Sequence, residues 1–167
     1  LEKLCIENGL KLIEDAAQGL GAYLDGKMAG SFGESGSFSF YPAKTLGALG
    51  DAGAITTNSL EVYERLIALR NHNRRDDGNI EFWGYNNRID NVQASVLDFR
   101  LTQIEKYIKR RREIAKLYFE GLSDIEQLIL PPNERNDKKN RDAFQNFEIF
   151  ANNRDGLVEN LRNNEIE

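Results

Sequence analysis

An α/β fold is predicted by three observations along the 167 residues. A short apolar run, Leu10-Lys11-Leu12-Ile13-Glu14-Asp15, follows a helix-like stretch and a glycine, and its length and apolarity suit a buried parallel strand. A second run, Ser37 to Tyr41, alternates, with Phe38 and Phe40 on one side and Ser39 and Tyr41 on the other. From Asn58 onward, apolar residues recur in long blocks at helical spacing. With 40% hydrophobic residues, the chain can bury one core and lies near the usual size of a single domain.

Each element has its own local cause. Leu1, Leu4 and Cys5 share one helix face, and Asn8-Gly9 supplies a helix stop. After the Leu10–Asp15 strand, glycines at 26, 30, 33 and 36 and the Asp25-Gly26 turn signal predict loops and a short hairpin over residues 23–36. Ala54 to Thr57 reads as a third short strand. Asn58 with Glu61 three residues on predicts a capping box, followed by a helix through Leu60, Tyr63, Leu66, Ile67 and Leu69 to about Arg70. Residues 71–87 lose that period and read as a long loop. From Asp90, the series Val92, Val96, Leu97, Leu101, Ile104, Ile108, Ile114, Leu117 and Tyr118 predicts one long, bent helix. Pro131-Pro132 and the polar run to Arg141 then break the chain before a strand near Phe147 to Phe150 and a helix near Arg154 to Asn163.

Composition excludes several function classes. A net charge of −5 disfavours a general attraction to nucleic acid or to an anionic membrane. The one basic cluster, Lys109-Arg110-Arg111-Arg112, lies in a helical pattern with Glu105 and Glu113 and reads as a solvated face. No stretch approaches the roughly 18 apolar residues of a membrane span. Cys5 is the only cysteine, so no disulfide forms within the chain, which agrees with a reducing cytoplasm. His72 is the sole histidine and has no second His or Cys at ligand spacing, so no metal site is expected.

The chemistry-bearing residues are Lys44 and Asp15. Lys44 ends the run Ser39-Phe40-Tyr41-Pro42-Ala43-Lys44 and precedes the Gly-rich Thr45-Leu46-Gly47-Ala48-Leu49-Gly50-Asp51-Ala52-Gly53. An amine at the end of a buried strand can lose its proton and hold an aldehyde carbon as a Schiff base. Asp15 closes the first strand, where it could hold a protonated ring nitrogen or cap the turn that follows. An amine for an aldehyde and a carboxylate for a pyridinium are the two fixed points of a pyridoxal phosphate site.

Four blocks carry a resemblance: Glu14-Asp15-Ala16-Ala17-Gln18, Gly36 through Lys44, Gly50-Asp51-Ala52-Gly53-Ala54-Ile55, and Gly84-Tyr85-Asn86-Asn87-Arg88. In this order they resemble the DegT/DnrJ/EryC1/StrS family of pyridoxal-phosphate sugar aminotransferases. The resemblance implies an aspartate-aminotransferase-like (fold type I) large domain, with a mixed, mostly parallel sheet flanked by helices, and the start of a smaller C-terminal α+β domain. Residues 1–125 would be the C-terminal part of the cofactor-binding domain and 126–167 the beginning of the small one, the chain being an internal segment of a longer enzyme.

It also implies roles for single residues. Lys44 would anchor the cofactor and then shuttle the substrate proton. Asp15 would pair with the pyridinium, Gln18 would lie against the cofactor face or its phenolic oxygen, and Ser39 would donate to its phosphate. Asn86 would reach the phosphate of a neighbouring subunit, with a tight structural turn as the rival reading, and Arg88 would serve packing or a dimer-interface ion pair. The implied reaction moves an amino group from an amino acid, most simply glutamate, to a nucleotide-linked keto-deoxysugar in a cytoplasmic homodimer. Two alternatives are a sugar dehydratase on the same cofactor, in which His replaces the lysine, and a non-catalytic regulatory protein on the same fold. The motif Asp76-Asp77-Gly78-Asn79-Ile80-Glu81-Phe82-Trp83-Gly84 resembles the subgroup acting on 3-keto-6-deoxyhexoses. Arg74, Arg75, Trp83 and Tyr85 in that loop are residue types suited to phosphate and to stacking on a sugar or base. His72, at the mouth of the implied site, is a candidate substrate contact.

Overall fold

The backbone first winds into α1 (Glu2–Glu7), and Gly9, in the left-handed region at φ 63°, turns the chain toward β1 (Ile13–Asp15). This is a computed structural model, and it describes residues 1–74, 77–80, 82–132 and 139–166. Arg75, Asp76, Glu81 and most of the polar run after Pro132 lie outside the described residues.

A hairpin follows, β2 (Tyr23–Leu24) and β3 (Lys27–Met28), joined by Asp25 at φ 52° and Gly26 at φ 81°. Two left-handed residues are what a tight two-residue hairpin needs, which is why Asp-Gly predicts it. The main sheet adds β4 (Ser35–Ser39) and β5 (Gly53–Thr56) in the order β1-β4-β5. β1 runs parallel to β4, with Asp15 opposite Ser37, and β4 runs antiparallel to β5, with Ser39 opposite Gly53.

Two strand readings need correction. β1 spans three residues and is open on one face, leaving Ile13 70% exposed, because no described element packs there. β4 starts two residues before the predicted run and ends at Ser39. Phe40 still donates its N–H to Ala52, but Pro42, which has no N–H, then turns the chain away.

The helix predicted after residue 58 is α2 (Leu60–Leu69), capped by Ser59 rather than Asn58: Ser59 Oγ accepts from Val62 N at 3.3 Å. Thr57 Oγ1 accepts from Ser59 N at 3.1 Å, so the chain is still turning at residue 58 and the predicted box is one residue out of register. The single long helix is in fact two, α3 (Asn91–Leu101) and α4 (Ile104–Leu122). Thr102 Oγ1 bonds back to Phe99 O at 2.7 Å and Gln103 leaves the helical region at φ −106°, ψ 2°, which breaks the ladder between two apolar stripes.

The last elements are β6 (Leu128–Ile129), β7 (Phe150–Ala151), paired antiparallel, and α5 (Arg154–Asn163), capped by Asn153 Oδ1. The strand expected at Phe147–Phe150 shrinks to β7 because the residues before it are drawn elsewhere. Asn146 reaches Gln18, and Phe147 joins an aromatic cluster with Phe144 and with Tyr118 and Phe119 of α4. The buried core, Leu46, Ala48 and Leu97 with Leu20, Phe40, Ala52 and Ile104 against it, sits where the loop after β4 meets α3 and α4. Among the described residues no helix is long and apolar enough to cross a membrane.

Candidate active site

Because β1 and β4 are parallel neighbours in register, their carboxyl ends lie side by side, the end of an α/β sheet where ligands characteristically bind. From that end the chain leaves β1 into residues 16–22 and leaves β4 into residues 40–48. Asp15 and Ser37 are cross-strand partners on one face, and Ser39, two positions further along β4, shares it. Asp15 is exposed and its Oδ1 accepts from Ala17 N at 3.1 Å, so one oxygen performs the turn-capping role open to it in the sequence. Ser39 is half-buried and its Oγ accepts from Tyr41 N at 3.3 Å.

Lys44 stands five residues past the end of β4, in a coiled turn rather than at a strand terminus. Lys44 N donates to Tyr41 O, Gly47 N to Lys44 O, and Ala48 N to Phe40 O, all within 2.7–2.8 Å. The coil is so tight that a Cβ on Gly47 would lie 2.2 Å from Pro42 O, which is the physical requirement for glycine there. Arg100 donates to the Gly47 carbonyl from α3, and Gln93 Oε1 accepts from Leu49 N at 2.8 Å. Beneath the turn lie buried Leu46 and Ala48, so the half-buried Lys44 rises from a base pinned on several sides.

A segment distant in sequence closes this end. Gln145 accepts from Thr45 Oγ1 at 2.8 Å and donates to Ala43 O at 3.0 Å, and its neighbour Asn146 donates to Gln18 Oε1 at 3.3 Å. Two consecutive side chains thus touch both the Lys44 turn and Gln18, bringing those two regions together. Residues 139–141 are stitched to the hairpin: Tyr23 and Arg141 exchange both backbone bonds, and Arg141 donates from Nε to Gly21 O at 2.8 Å.

Asp15, Gln18, Ser39 and Lys44 therefore gather at one end of the sheet. Asn86 does not join them through any hydrogen bond among the described residues. Its Oδ1 accepts from Arg88 Nη2 at 3.0 Å while Arg88 Nη1 donates to Asn71 Oδ1 at 2.7 Å, so Arg88 bridges the two asparagines within the chain. Residues 71–74 and 82–87 fold back on the end of α2. His72 and Asn73 are left-handed at φ 59° and 53°, buried Asn73 donates to Phe82 O at 3.0 Å, and Tyr85 N donates to Leu69 O at 2.7 Å. Gly84 passes so close that a Cβ would lie 2.2 Å from Asn73 N. Trp83, 95% exposed, stands out from this knot, and Arg74, Tyr85 and His72 are exposed beside it.

Sequence reasoning missed three contributors, Glu14, Gln145 and Asn146. Glu14 faces away from Asp15 and collects the backbone N–H groups of Gly30, Phe32 and Gly33 at 2.5–2.9 Å, tying the glycine loop beneath the sheet. A carboxylate inside an apolar run, followed by a glycine-rich stretch, is the signal that could have revealed it. Gln145 and Asn146 carry a fainter one, a polar pair between aromatics in Ala143-Phe144-Gln145-Asn146-Phe147.

A profile of the DegT/DnrJ/EryC1/StrS aminotransferase family matches residues 1–167. The chain belongs to this family. Among curated relatives, the dTDP-3-amino-3,4,6-trideoxy-alpha-D-glucose transaminase of Micromonospora megalomicea subsp. nigra is 42% identical over 127 residues, covering 75% of this chain and 34% of the relative. Two solved structures superpose closely. The DegT DnrJ EryC1 StrS aminotransferase from Brucella abortus aligns at TM-score 0.89 and 36% identity, over 98% of this chain and 43% of that one. DesV of S. venezuelae, in complex with a ketimine intermediate, aligns at TM-score 0.90 and 36% identity, over 99% and 44%. The fold is thus that of the fold type I aminotransferases, and the chain spans less than half the length of each of these relatives.

Proposed function

We propose that the protein containing this chain transfers an amino group from an amino acid, glutamate, to a nucleoside-diphosphate-linked 3- or 4-keto-6-deoxyhexose, with pyridoxal phosphate held by Lys44. The observation that supports the reading is that half-buried Lys44 stands on a turn pinned on several sides, which leaves the sheet at the same carboxyl end where β1 closes on Asp15 and β4 on Ser39. The donor set fits the cofactor: an amine for its aldehyde, a carboxylate for its ring nitrogen and a hydroxyl for its phosphate. When bound, pyridoxal phosphate supplies the carbonyl that carries the amino group and a ring that accepts electrons.

The chain's own residues do the rest. Lys44 Nζ would hold the aldehyde carbon of the bound cofactor, and the freed amine would take and return the substrate proton. The Asp15 carboxylate keeps the ring nitrogen protonated, because each charge stabilises the other. Ser39 donates to the phosphate, and Gln18, which cannot titrate, lies against the ring or its phenolic oxygen. Asn86, presented by Arg88, reaches the phosphate of a second subunit, making the enzyme a homodimer. Residues 1–125 belong to the cofactor domain and 126–167 begin the small domain. The intact lysine separates this reading from a dehydratase, in which His would stand there. The lone Cys5 fits a cytoplasmic enzyme. The amino-sugar name of the 42% identical relative supports the substrate class.

Borohydride reduction of the full-length enzyme with bound cofactor, followed by peptide mapping, is expected to place the adduct on Lys44. An acceptor panel is expected to show turnover with nucleotide-linked keto sugars. An adduct on Lys11 or Lys27 would overturn the site. Far faster turnover of pyruvate or oxaloacetate would overturn the sugar assignment alone.

A further inference from the structure

The residues on either side of Lys44 are both held by one side chain. Thr45, only 5% exposed, directs its hydroxyl to Gln145 Oε1 at 2.8 Å, and the Ala43 carbonyl accepts from Gln145 Nε2 at 3.0 Å. A carboxamide is the neutral side chain that offers an acceptor and a donor at one tip, so it can satisfy a hydroxyl and a carbonyl together. A carboxylate would face the Ala43 carbonyl with a second acceptor, and an aliphatic side chain would leave the buried Thr45 hydroxyl without its partner.

Gln145 is delivered by a backbone built for the purpose. Phe144, immediately before it, is left-handed at φ 45°, a conformation that strains a bulky residue and persists only where its surroundings over-determine it. Those surroundings are present. Asp142 Oδ1 accepts from Phe144 N at 2.8 Å, and Arg111 of α4 donates to Gln145 O at 3.0 Å. The buried Phe144 ring packs edge-on against Phe119 at 6.2 Å. Asn146, next in line, holds Gln18.

We infer that Gln145 is a positioning residue for the Lys44 amine: its carboxamide locks the turn on both sides of Lys44, so that residues 139–147 set where the amine points. The inference rests on the reading of Lys44 as the cofactor-anchoring amine. Packing alone would need the side chain's volume but neither bond.

The test uses the full-length enzyme and the variants Gln145→Leu, Thr45→Val, Thr45→Ser and the double variant Gln145→Leu/Thr45→Val. Two quantities are read: the rate at which the covalent lysine–cofactor absorbance develops when pyridoxal phosphate is added to apoenzyme, and kcat and KM for the half-reaction with glutamate. Gln145→Leu and Thr45→Val are each expected to slow adduct formation and lower kcat about tenfold, with KM within about twofold. Thr45→Ser, which keeps the hydroxyl, is expected to retain the unmodified rates, and the double variant to be no slower than the slower single variant. Unmodified rates in both single variants, or losses that multiply in the double, would overturn the inference while an adduct mapped to Lys44 leaves the site reading standing. An adduct on another lysine overturns both. If Gln145→Leu fails to fold, Thr45→Val against Thr45→Ser decides from the other end of the same bond.

Discussion

Asp15 has two tasks for one carboxylate. One oxygen caps the turn at Ala17 N, 3.1 Å away, and the charge is what a ring nitrogen would require. Asparagine keeps an oxygen for the cap and removes the charge. Asp15→Asn is therefore expected to lower the transamination rate at least about tenfold while cofactor retention, which draws on phosphate contacts as well, falls much less. Stopped-flow half-reaction rates beside equilibrium dialysis of the cofactor measure the two separately, and equal rates in wild type and variant would return Asp15 to capping alone. That Asp15 closes β1 and that Ser39 lies in β4 was legible because strand pattern is local. Gln145 was not, because nothing near it in sequence says that its amide spans a turn a hundred residues earlier.

Helices show the same division. α5 has the predicted bounds because an Asn cap, an apolar stripe and a basic last turn all agree. The break between α3 and α4 was missed because apolar spacing runs on either side of it, and a threonine bonding back to Phe99 O is a local competitor that periodicity does not see. The first turn of α4 carries Glu105, paired through both oxygens with Arg141 at 2.7 and 3.1 Å. The Arg141 hydrogen bonds chiefly hold the Glu105 carboxyl below its usual range, burial opposes them, and the charges of Arg141 and Arg112 add smaller lowering effects. A pKa lower in the folded state than in the unfolded one means stability that is present above the ordinary carboxylate pKa, about 4.3, and lost as pH falls through the lower folded value. Glu105→Gln in the full-length enzyme is expected to lower Tm by about 1–2 °C near neutral pH, a small effect because the glutamate is largely exposed. The difference is expected to vanish in acid. Thermal melts at pH 7 and in steps below pH 4.5 check this, and a difference that grows in acid would contradict the pairing.

At the scale of the molecule, one face of the central sheet is open. Ile13 and Ile55, facing the same way on β1 and β5, are 70% and 53% exposed on the face that also carries Asp15, Ser37 and Ser39, and a three-stranded sheet with exposed isoleucines and a free edge invites association. Residues 1–167 expressed alone are expected to self-associate, to melt without a sharp transition and to show negligible turnover. Size-exclusion chromatography with light scattering, calorimetry and an acceptor assay test this. A monomer that melts cooperatively and aminates a keto sugar would show that the open face needs no cover.

What the sequence by itself determined is what short range can encode: a helix-to-strand step ending in Asp15, an Asp-Gly hairpin, and the helix of residues 154–163. Strand alternation, caps and left-handed glycines act within a few residues, so they survive reading in one dimension. Only the tertiary structure decided that β1 and β4 pair in the register that sets Asp15 beside Ser37, that Asn86 is held by Arg88, and that Gln145 and Asn146 return to the turn around Lys44 and to Gln18. Those facts depend on contacts between segments up to 128 residues apart, made by ordinary amides whose meaning lies entirely in what they meet.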